Sequence, residues 1–206
     1  LCLIAYALAK RPSAKNTVLI VFSLIFYAWG EPVWVLLLLF SSVFNWFIGL
    51  QIDKHREKQG AKVAVATGIA VNIALLLVFK YTTPFFQNVN AIFGAGLSVP
   101  QVALPLGISF YTFKAISYIL DCYWETVQVQ KHYPKFLLYL SLFPHVISGP
   151  IVRYSTIENE IDNRTTTLED VWEGSLRIII GLAKKVIIAN NLWSIVDTFF
   201  GKDIAG

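Results

Sequence analysis

Long apolar stretches separated by short polar segments make up most of this chain. Many of them approach the ~20 residues that a helix needs to cross the apolar core of a bilayer. The stretches cover residues 1–9, 17–29, 33–50, 63–79, 104–124 and 136–152. This pattern predicts an all-α, multi-pass transmembrane helical protein, with residues 1–206 forming a single membrane domain.

Both ends of the sequence are expected to be truncated. Residues 1–9 are apolar from the first position and are followed by Lys10-Arg11, as at the end of a spanning helix whose start is missing. A signal peptide carries its positive charge before the apolar stretch instead of after it. At the other end, the sequence stops on the polar segment 201–206.

Residues 17–50 predict a membrane hairpin. Gly30-Glu31-Pro32 interrupts the apolar run, and Pro32 can begin the second helix because no N–H is needed there. The first arm, 17–29, is short for a full span unless it begins nearer Pro12.

The distribution of charge predicts an orientation. Basic residues concentrate at 10–15 and 51–62, whereas 82–103 holds no charged residue. Because cytoplasmic loops are rich in Lys and Arg, the two basic segments are predicted to be cytoplasmic and the uncharged connection is predicted to lie outside. Residues 104–124 then return to the cytoplasmic side, where a further basic segment follows.

The apolar stretch 136–152 contains helix-breaking residues. It is interrupted by Pro144, Gly149 and Pro150, and Arg153-Tyr154 follows it. Non-helical backbone at membrane depth is tolerated only where it is buried in protein or lines a cavity. A broken or re-entrant element is therefore predicted, and the sequence leaves open whether it crosses the membrane or returns. The residues expected to have a structural role at this cavity are Asp121, Pro144, His145, Gly149 and Pro150.

Charged residues inside apolar stretches are costly in lipid and usually face a partner or a cavity. Lys114 and Asp121 could meet at i+7 only if their helix bends, so Asp121 is expected to pair with a residue elsewhere. Arg153 could bind a donor phosphate or an acceptor carboxylate, or anchor to lipid phosphate. His145 could act as a general base, but a hydrogen-bonded structural histidine at a helix break is the commoner case.

A last helix is predicted over residues 168–200, because Thr167 and Asp170 form an [ST]-x-x-[DE] cap at its start. Lys184 and Lys185 lie near its middle, which excludes a fully lipid-facing helix. The helix is therefore expected to pack in the protein, or to lie at the interface with its lysines reaching lipid head groups or a ligand.

Composition and motif content limit the classes of function. The chain is 56% hydrophobic and 15% charged, against about 25% charged in soluble domains. Its net charge of +4 comes mainly from residues between apolar runs, so no nucleic-acid partner is expected. Three histidines and two cysteines lack metal-ligand spacing, and the common soluble-enzyme motifs are missing from the sequence.

Five sequence blocks, in order, resemble those of the membrane-bound O-acyltransferase family. They are IFYAWGEP at 25–32, LPLGISFYTF at 104–113, SYILDCYW at 117–124, FPHVISGPIVRY at 143–154 and GLAKKVIIAN at 181–190. The resemblance covers nearly the whole chain but only the front half of the family's protein, so the chain is expected to form a partial core.

The resemblance implies a transferase that moves an acyl group, usually acetyl, from a cytoplasmic thioester such as acetyl-CoA. The implied acceptors are hydroxyls of an extracytoplasmic polysaccharide such as alginate or peptidoglycan. It also implies no bound cofactor or metal, a place in the bacterial inner membrane, and a periplasmic or membrane acetyltransferase partner. The candidates for binding substrate or donor are then Arg153, Tyr154, Lys184 and Lys185.

The resemblance implies no catalytic residue within this sequence. The family's catalytic histidine sits in a W-H-G-type segment that is missing from these 206 residues, so the fragment alone is expected to be inactive. His145 stands where the family often has Gln. Two other functions remain open from the sequence: a transporter or channel component whose broken element lines a path, and a non-catalytic scaffold for a partner acetyltransferase.

Overall fold

The computed structural model describes residues 1–56, 58–94 and 96–200, and every regular element in these ranges is helical. The helices are α1 (Cys2–Leu8), α2 (Pro12–Gly30), α3 (Val35–Lys54), α4 (Gln59–Leu76), α5 (Thr82–Phe93), α6 (Ile108–Tyr123), α7 (Tyr133–Ser141), α8 (Phe143–Val146), α9 (Tyr154–Asn163), α10 (Leu168–Ala183) and α11 (Asn190–Phe200). Short π-helical segments, Leu77–Tyr81 and Lys184–Ala189, join α4 to α5 and α10 to α11.

Four helical segments within the described ranges are long and apolar enough to cross a membrane. They are Pro12–Gly30, Val35–Lys54, Gln59–Phe93 and Leu168–Phe199. The predicted all-α, multi-pass membrane fold is therefore confirmed.

The chain divides into two compact units, Leu1–Asn163 and Arg164–Gly206. In the second unit, the Asp170 N–H donates to Thr167 Oγ1 at 3.2 Å and the Thr167 N–H donates to Asp170 Oδ2 at 2.8 Å. This is the predicted capping box, and the helical segments after it continue to Phe200 as predicted. The single membrane domain stays a prediction.

In the first unit, α2 and α3 form the predicted hairpin. α2 begins at Pro12, ahead of the apolar run 17–29, because a proline fits the first turn of a helix without losing a hydrogen bond. Its 19 residues reach about 28 Å, close to the thickness of the apolar core.

Small and amide side chains hold α3, α4 and α6 together. Asn72 of α4 donates to Asn45 of α3 at 2.6 Å, and both side chains are buried. A Cβ on Gly68 of α4 would lie 2.7 Å from Cδ1 of Ile119 in α6, so a larger residue there would displace the Ile119 side chain. Both devices are typical of helix packing in membranes, where small residues and interhelical hydrogen bonds replace the hydrophobic effect.

The stretch 82–103, which the sequence predicts to be a connection, is helical in its first half. The α4 helix continues through a π-helical segment into α5. Pro84, which has no N–H to donate, lies just after the π-helical segment and does not end the helical run. The Asn90 side chain then holds the returning chain, with hydrogen bonds to the N–H of Leu97 at 2.8 Å and to its carbonyl at 2.7 Å.

Candidate functional site at a re-entrant segment

Residues 132–162 enter the first unit and return to the end at which they entered. Two side chains of α2 mark the path, since Asn16 donates to the carbonyl of Ile161 at 3.0 Å and Ser23 accepts from the N–H of Phe143 at 3.1 Å. Seven residues of helix separate these side chains, which is about 10 Å along the axis. The turning point at Phe143 therefore lies deeper along α2 than the end of the segment.

Two contacts show that the start and the end of the segment lie side by side. Lys135, in the first turn of α7, lies 2.6 Å from Asp162 in the last turn of α9. Gln130, just before α7, donates to the hydroxyl of Tyr154, the first residue of α9, at 2.8 Å. The segment thus re-enters and does not cross the unit, which is the question that the sequence leaves open.

The break in the segment falls at the predicted residues. α7 ends at Ser141, α8 covers only Phe143–Val146, and the chain is non-helical from there until α9 begins at Tyr154. Lys114 of α6 is buried and donates to the carbonyls of Tyr139 at 2.5 Å and Leu140 at 3.4 Å, in the last turn of α7.

Two glycines permit the turn after α8. A Cβ on Gly149 would overlap the carbonyl oxygen of Pro144 and lie 2.6 Å from Cα of His145. Gly107, just before α6, has a φ of +76°, and a Cβ there would overlap the carbonyl oxygen of Val146. Each position therefore requires glycine because backbone approaches backbone.

The returning chain ends at an ion pair. The Arg153 guanidinium donates through Nε to Asp121 Oδ2 at 3.3 Å, and its Nη2 contacts Oδ1, so both carboxylate oxygens are used. The Asp121 side chain is 1% exposed and the Arg153 side chain is 56% exposed. The prediction that Asp121 pairs with a residue outside its own helix is confirmed, and the forked geometry is the arrangement that arginine favours.

Gln130 makes several hydrogen bonds at the place where the two ends of the re-entrant segment meet. The sequence does not predict this role. The Gln130 N–H donates to the Tyr118 hydroxyl at 3.0 Å and its carbonyl accepts from Trp46 Nε1 at 2.8 Å. Its side chain donates to Tyr154 and accepts from the N–H of His132 at 2.9 Å. An isolated glutamine in a polar segment carries no sequence signal for such a role, because its partners come from three different helices and from the segment itself.

Buried aromatic side chains pack together beside Gln130. The ring of Tyr118 lies 4.7 Å from that of Phe136 and 5.2 Å from that of Tyr154, and Tyr154 lies 5.2 Å from Tyr139, between ring centroids. The Tyr139 hydroxyl is within hydrogen-bond distance of the carbonyls of Lys114, at 3.2 Å, and Val152, at 3.1 Å. The aromatic cluster thus ties α7 to α6 and to the returning chain.

The structure brings most of the predicted site residues into one segment. His145 is partly buried beside the turn, Pro144 and Pro150 are exposed, and Tyr154 is fully buried. Lys184 and Lys185 lie instead in the second unit, where they open its π-helical segment and are exposed.

A cavity of about 480 Å³ lies where the two ends of the segment meet the first turns of α2. Its polar lining consists of Ser13, Asn16, Thr17, His132, Lys135 and Asp162. Within the described ranges, no group of three His, Cys, Asp or Glu side chains could hold a metal ion.

These features define an all-α, multi-pass membrane protein whose first unit holds a re-entrant segment. The segment is broken at Pro144 and joined to α6 by Lys114 at its tip and by Asp121 at its base. Lys114 was noted in the sequence only as an isolated base in an apolar run, which is the signal that could have marked it.

Comparison with known proteins finds relatives that are named as acyltransferases. This chain is 36% identical over 191 residues, 90% of its length, to a probable alginate O-acetylase AlgI of Azotobacter vinelandii, of which the match covers 38%. It is 30% identical over 97% of its length to a peptidoglycan O-acetyltransferase of Helicobacter pylori, of which 43% is covered. A teichoic acid D-alanyltransferase of Lacticaseibacillus rhamnosus is 31% identical over 58% of this chain and 27% of its own length.

The resemblance predicted from the sequence blocks is confirmed: relatives that are 36% and 30% identical over nine tenths or more of the chain are named alginate O-acetylase and peptidoglycan O-acetyltransferase. The chain spans about two fifths of the length of the alginate O-acetylases that it matches. No protein-family model matches this chain, and no solved structure matches it significantly.

Proposed function

We propose that the protein containing this chain transfers an acyl group, acetyl in the first instance, to hydroxyls of an extracytoplasmic polysaccharide. The observation that carries the proposal is the similarity to relatives named alginate O-acetylase and peptidoglycan O-acetyltransferase over at least nine tenths of the chain. Alginate and peptidoglycan are therefore the acceptors to be tested first. These names do not favour a transporter or a scaffold.

The donor is a cytoplasmic thioester, acetyl-CoA or another, used as a co-substrate and not as a bound cofactor. Acyl transfer to an alcohol needs a base for the hydroxyl proton and donors for the developing oxyanion. The W-H-G-type segment that would supply the general base is missing from these 206 residues. In this proposal the chain therefore shapes the site but does not supply the residue that accepts the hydroxyl proton. The bacterial inner membrane and a periplasmic or membrane acetyltransferase partner complete the proposal.

Among the candidate residues, Arg153 is the one whose geometry best suits substrate binding. Asp121 holds the guanidinium in place, while more than half of the Arg153 side chain remains exposed. A guanidinium held in this way can still meet a donor phosphate or an acceptor carboxylate with its free N–H groups. Tyr154 is fully buried and its hydroxyl accepts from Gln130. Lys184 and Lys185 are assigned to lipid head groups or donor phosphates.

Deleting the full-length gene in its host and restoring it on a plasmid tests the proposal. The O-acetyl content of the exopolysaccharide and of the peptidoglycan should fall in the deletion strain and return with the wild-type gene. Unchanged O-acetyl content in both polymers would contradict the proposed acceptors.

The variant Gly149→Ala tests the re-entrant segment in the same strain. An added Cβ overlaps Pro144 and displaces the turn, and a misplacement of about 1 Å can cost about 10²-fold in rate. Gly30→Ala is the matched control, because a Cβ there meets nothing within 4 Å. Full O-acetylation with Gly149→Ala, at normal protein level, would show that the turn does not support the reaction.

A further inference from the structure

The break between α7 and α8 leaves the carbonyl oxygens of Tyr139, Leu140 and Ser141 without their helical donors, and the His145 N–H donates to Leu142 at 2.9 Å instead of to Ser141. In a continuous helix, the N–H of residue i donates to the carbonyl of residue i−4. Pro144 has no N–H for Leu140, and the N–H of Phe143 donates to Ser23 Oγ at 3.1 Å, not to Tyr139. Among the described residues, the carbonyls of Tyr139 and Leu140 therefore accept from no backbone N–H.

Lys114 supplies the missing donors from another helix. Its Nζ lies 2.5 Å from the carbonyl oxygen of Tyr139 and 3.4 Å from that of Leu140. The ammonium also lies 4.7 Å from the centre of the Tyr139 ring. These are two of the three carbonyls that the break sets free, so one side chain compensates for two of the lost donors.

The positive charge of Lys114, like its N–H groups, is favourable at the C-terminal end of α7. The last carbonyls of a helix carry partial negative charge, and a lysine there is favourable. Lys114 is 1% exposed, and among the described residues no carboxylate lies within ion-pair distance of its Nζ. The carbonyls at the end of α7 and the Tyr139 ring thus stabilise the Lys114 ammonium in place of a carboxylate.

We propose that Lys114 is a positioning residue for acyl transfer, which holds α7 broken so that the re-entrant segment can turn back at Phe143–Val146. Buried carbonyls without donors are costly inside a membrane protein. Without Lys114, the segment would have to rearrange to satisfy them. The consequence for activity rests on the proposed function, whereas the consequence for stability does not.

Combining variants at Lys114 and Pro144 in the full-length protein tests this role. Lys114→Met keeps the length of the side chain and removes its donors, and should lower the melting temperature of the purified protein by several degrees. It should also lower O-acetylation in cells about tenfold or more. Lys62→Met, at an exposed lysine of α4, is the matched control and should leave both measurements unchanged.

The double variant Lys114→Met/Pro144→Ala separates positioning from general stability. An alanine at 144 restores an N–H for the Leu140 carbonyl and lets the helix continue, which frees the Phe143 N–H to return to Tyr139. The melting temperature should therefore recover, whereas O-acetylation should stay low because the break is lost. If Lys114→Met does not accumulate, the protein level in the membrane replaces the melting temperature, and the double variant should restore that level.

Several outcomes would overturn the inference. They are a normal melting temperature with Lys114→Met, a double variant no more stable than Lys114→Met, and a double variant that recovers O-acetylation together with stability. If the wild-type protein supports no O-acetylation, the proposed function fails, but the stability measurements still decide whether Lys114 caps α7.

Discussion

At the scale of single residues, the ion pair between Asp121 and Arg153 is asymmetric. The carboxylate is 1% exposed, whereas the guanidinium is 56% exposed. Removing the arginine would leave a buried charge without a partner, whereas removing the carboxylate charge would leave an arginine that water can still solvate. Mutations of Arg153 and of Asp121 should therefore lower the stability of the protein by different amounts.

We predict that Arg153→Gln lowers the melting temperature more than Asp121→Asn does. The double variant should resemble Asp121→Asn, since the unpaired carboxylate is then absent. Thermal unfolding of the full-length protein measures all three. Arg177→Gln is the control, because its pair with Glu173 is at the surface, with side chains 82% and 60% exposed, and such pairs contribute little. Equal losses at both ends would contradict the assigned burial.

His145 is predicted to be structural. It is partly buried beside the turn at Gly149, and the resembled family often carries Gln at its position. His145→Gln should therefore retain most O-acetylation of the polysaccharide, measured at matched protein level. General acid–base groups contribute about 10²–10⁴-fold, so a loss of about three orders of magnitude would make His145 catalytic instead.

At the scale of elements, α4 packs closely against α3 and α6, and α3 and α6 in turn contact the re-entrant segment. A Cβ on Gly68 of α4 would lie 3.0 Å from Cγ2 of Ile48 in α3 and 2.7 Å from Cδ1 of Ile119 in α6, so a side chain there would displace its neighbours. The other small residues that the sequence offers in α4 do not all share this role, since Ala66 and Ala70 face outward.

We predict that Gly68→Val destabilises the protein while Ala66→Val on the exposed face of the same helix does not. Forcing extra atoms into a close-packed interface costs about 1–3 kcal/mol, and here the valine would separate α4 from α6. Thermal unfolding of the two full-length variants makes the comparison. A normal melting temperature for Gly68→Val would show that α4 and α6 do not approach as closely as described.

At the scale of the whole molecule, the re-entrant path determines on which side of the membrane the chain continues after α9. Its ends meet through Lys135 and Asp162, and both lie beside the first turns of α2. Because α2 follows a basic segment, the positive-inside rule predicts that this side is cytoplasmic.

Reporter fusions can test this topology. Fusions after Lys58, Lys131 and Asn163 should all report the cytoplasm, and a fusion near Gly96 should report the periplasm. Opposite signals at Lys131 and Asn163 would mean that the segment crosses the membrane. Inverted signals at Lys58 and Gly96 would overturn the orientation but leave the re-entrant path intact.

The sequence by itself determined the class of the protein and the position of the break. Apolar stretches of membrane length, breaker residues at Pro144 and Gly149 and a capping box at Thr167 act locally, within a few residues, so they can be read from the chain. The resemblance to membrane-bound O-acyltransferases likewise followed from five sequence blocks.

Only the tertiary structure decided what the break does. The pairing of Asp121 with Arg153, the carbonyls held by Lys114 and the contacts of Gln130 join residues that are 12 to 84 positions apart. Local propensity carries no information about such partners, because each depends on how the helices are placed side by side. Whether the segment crosses or returns was open for the same reason: a break in a helix permits both paths, and only contacts between its two ends select one.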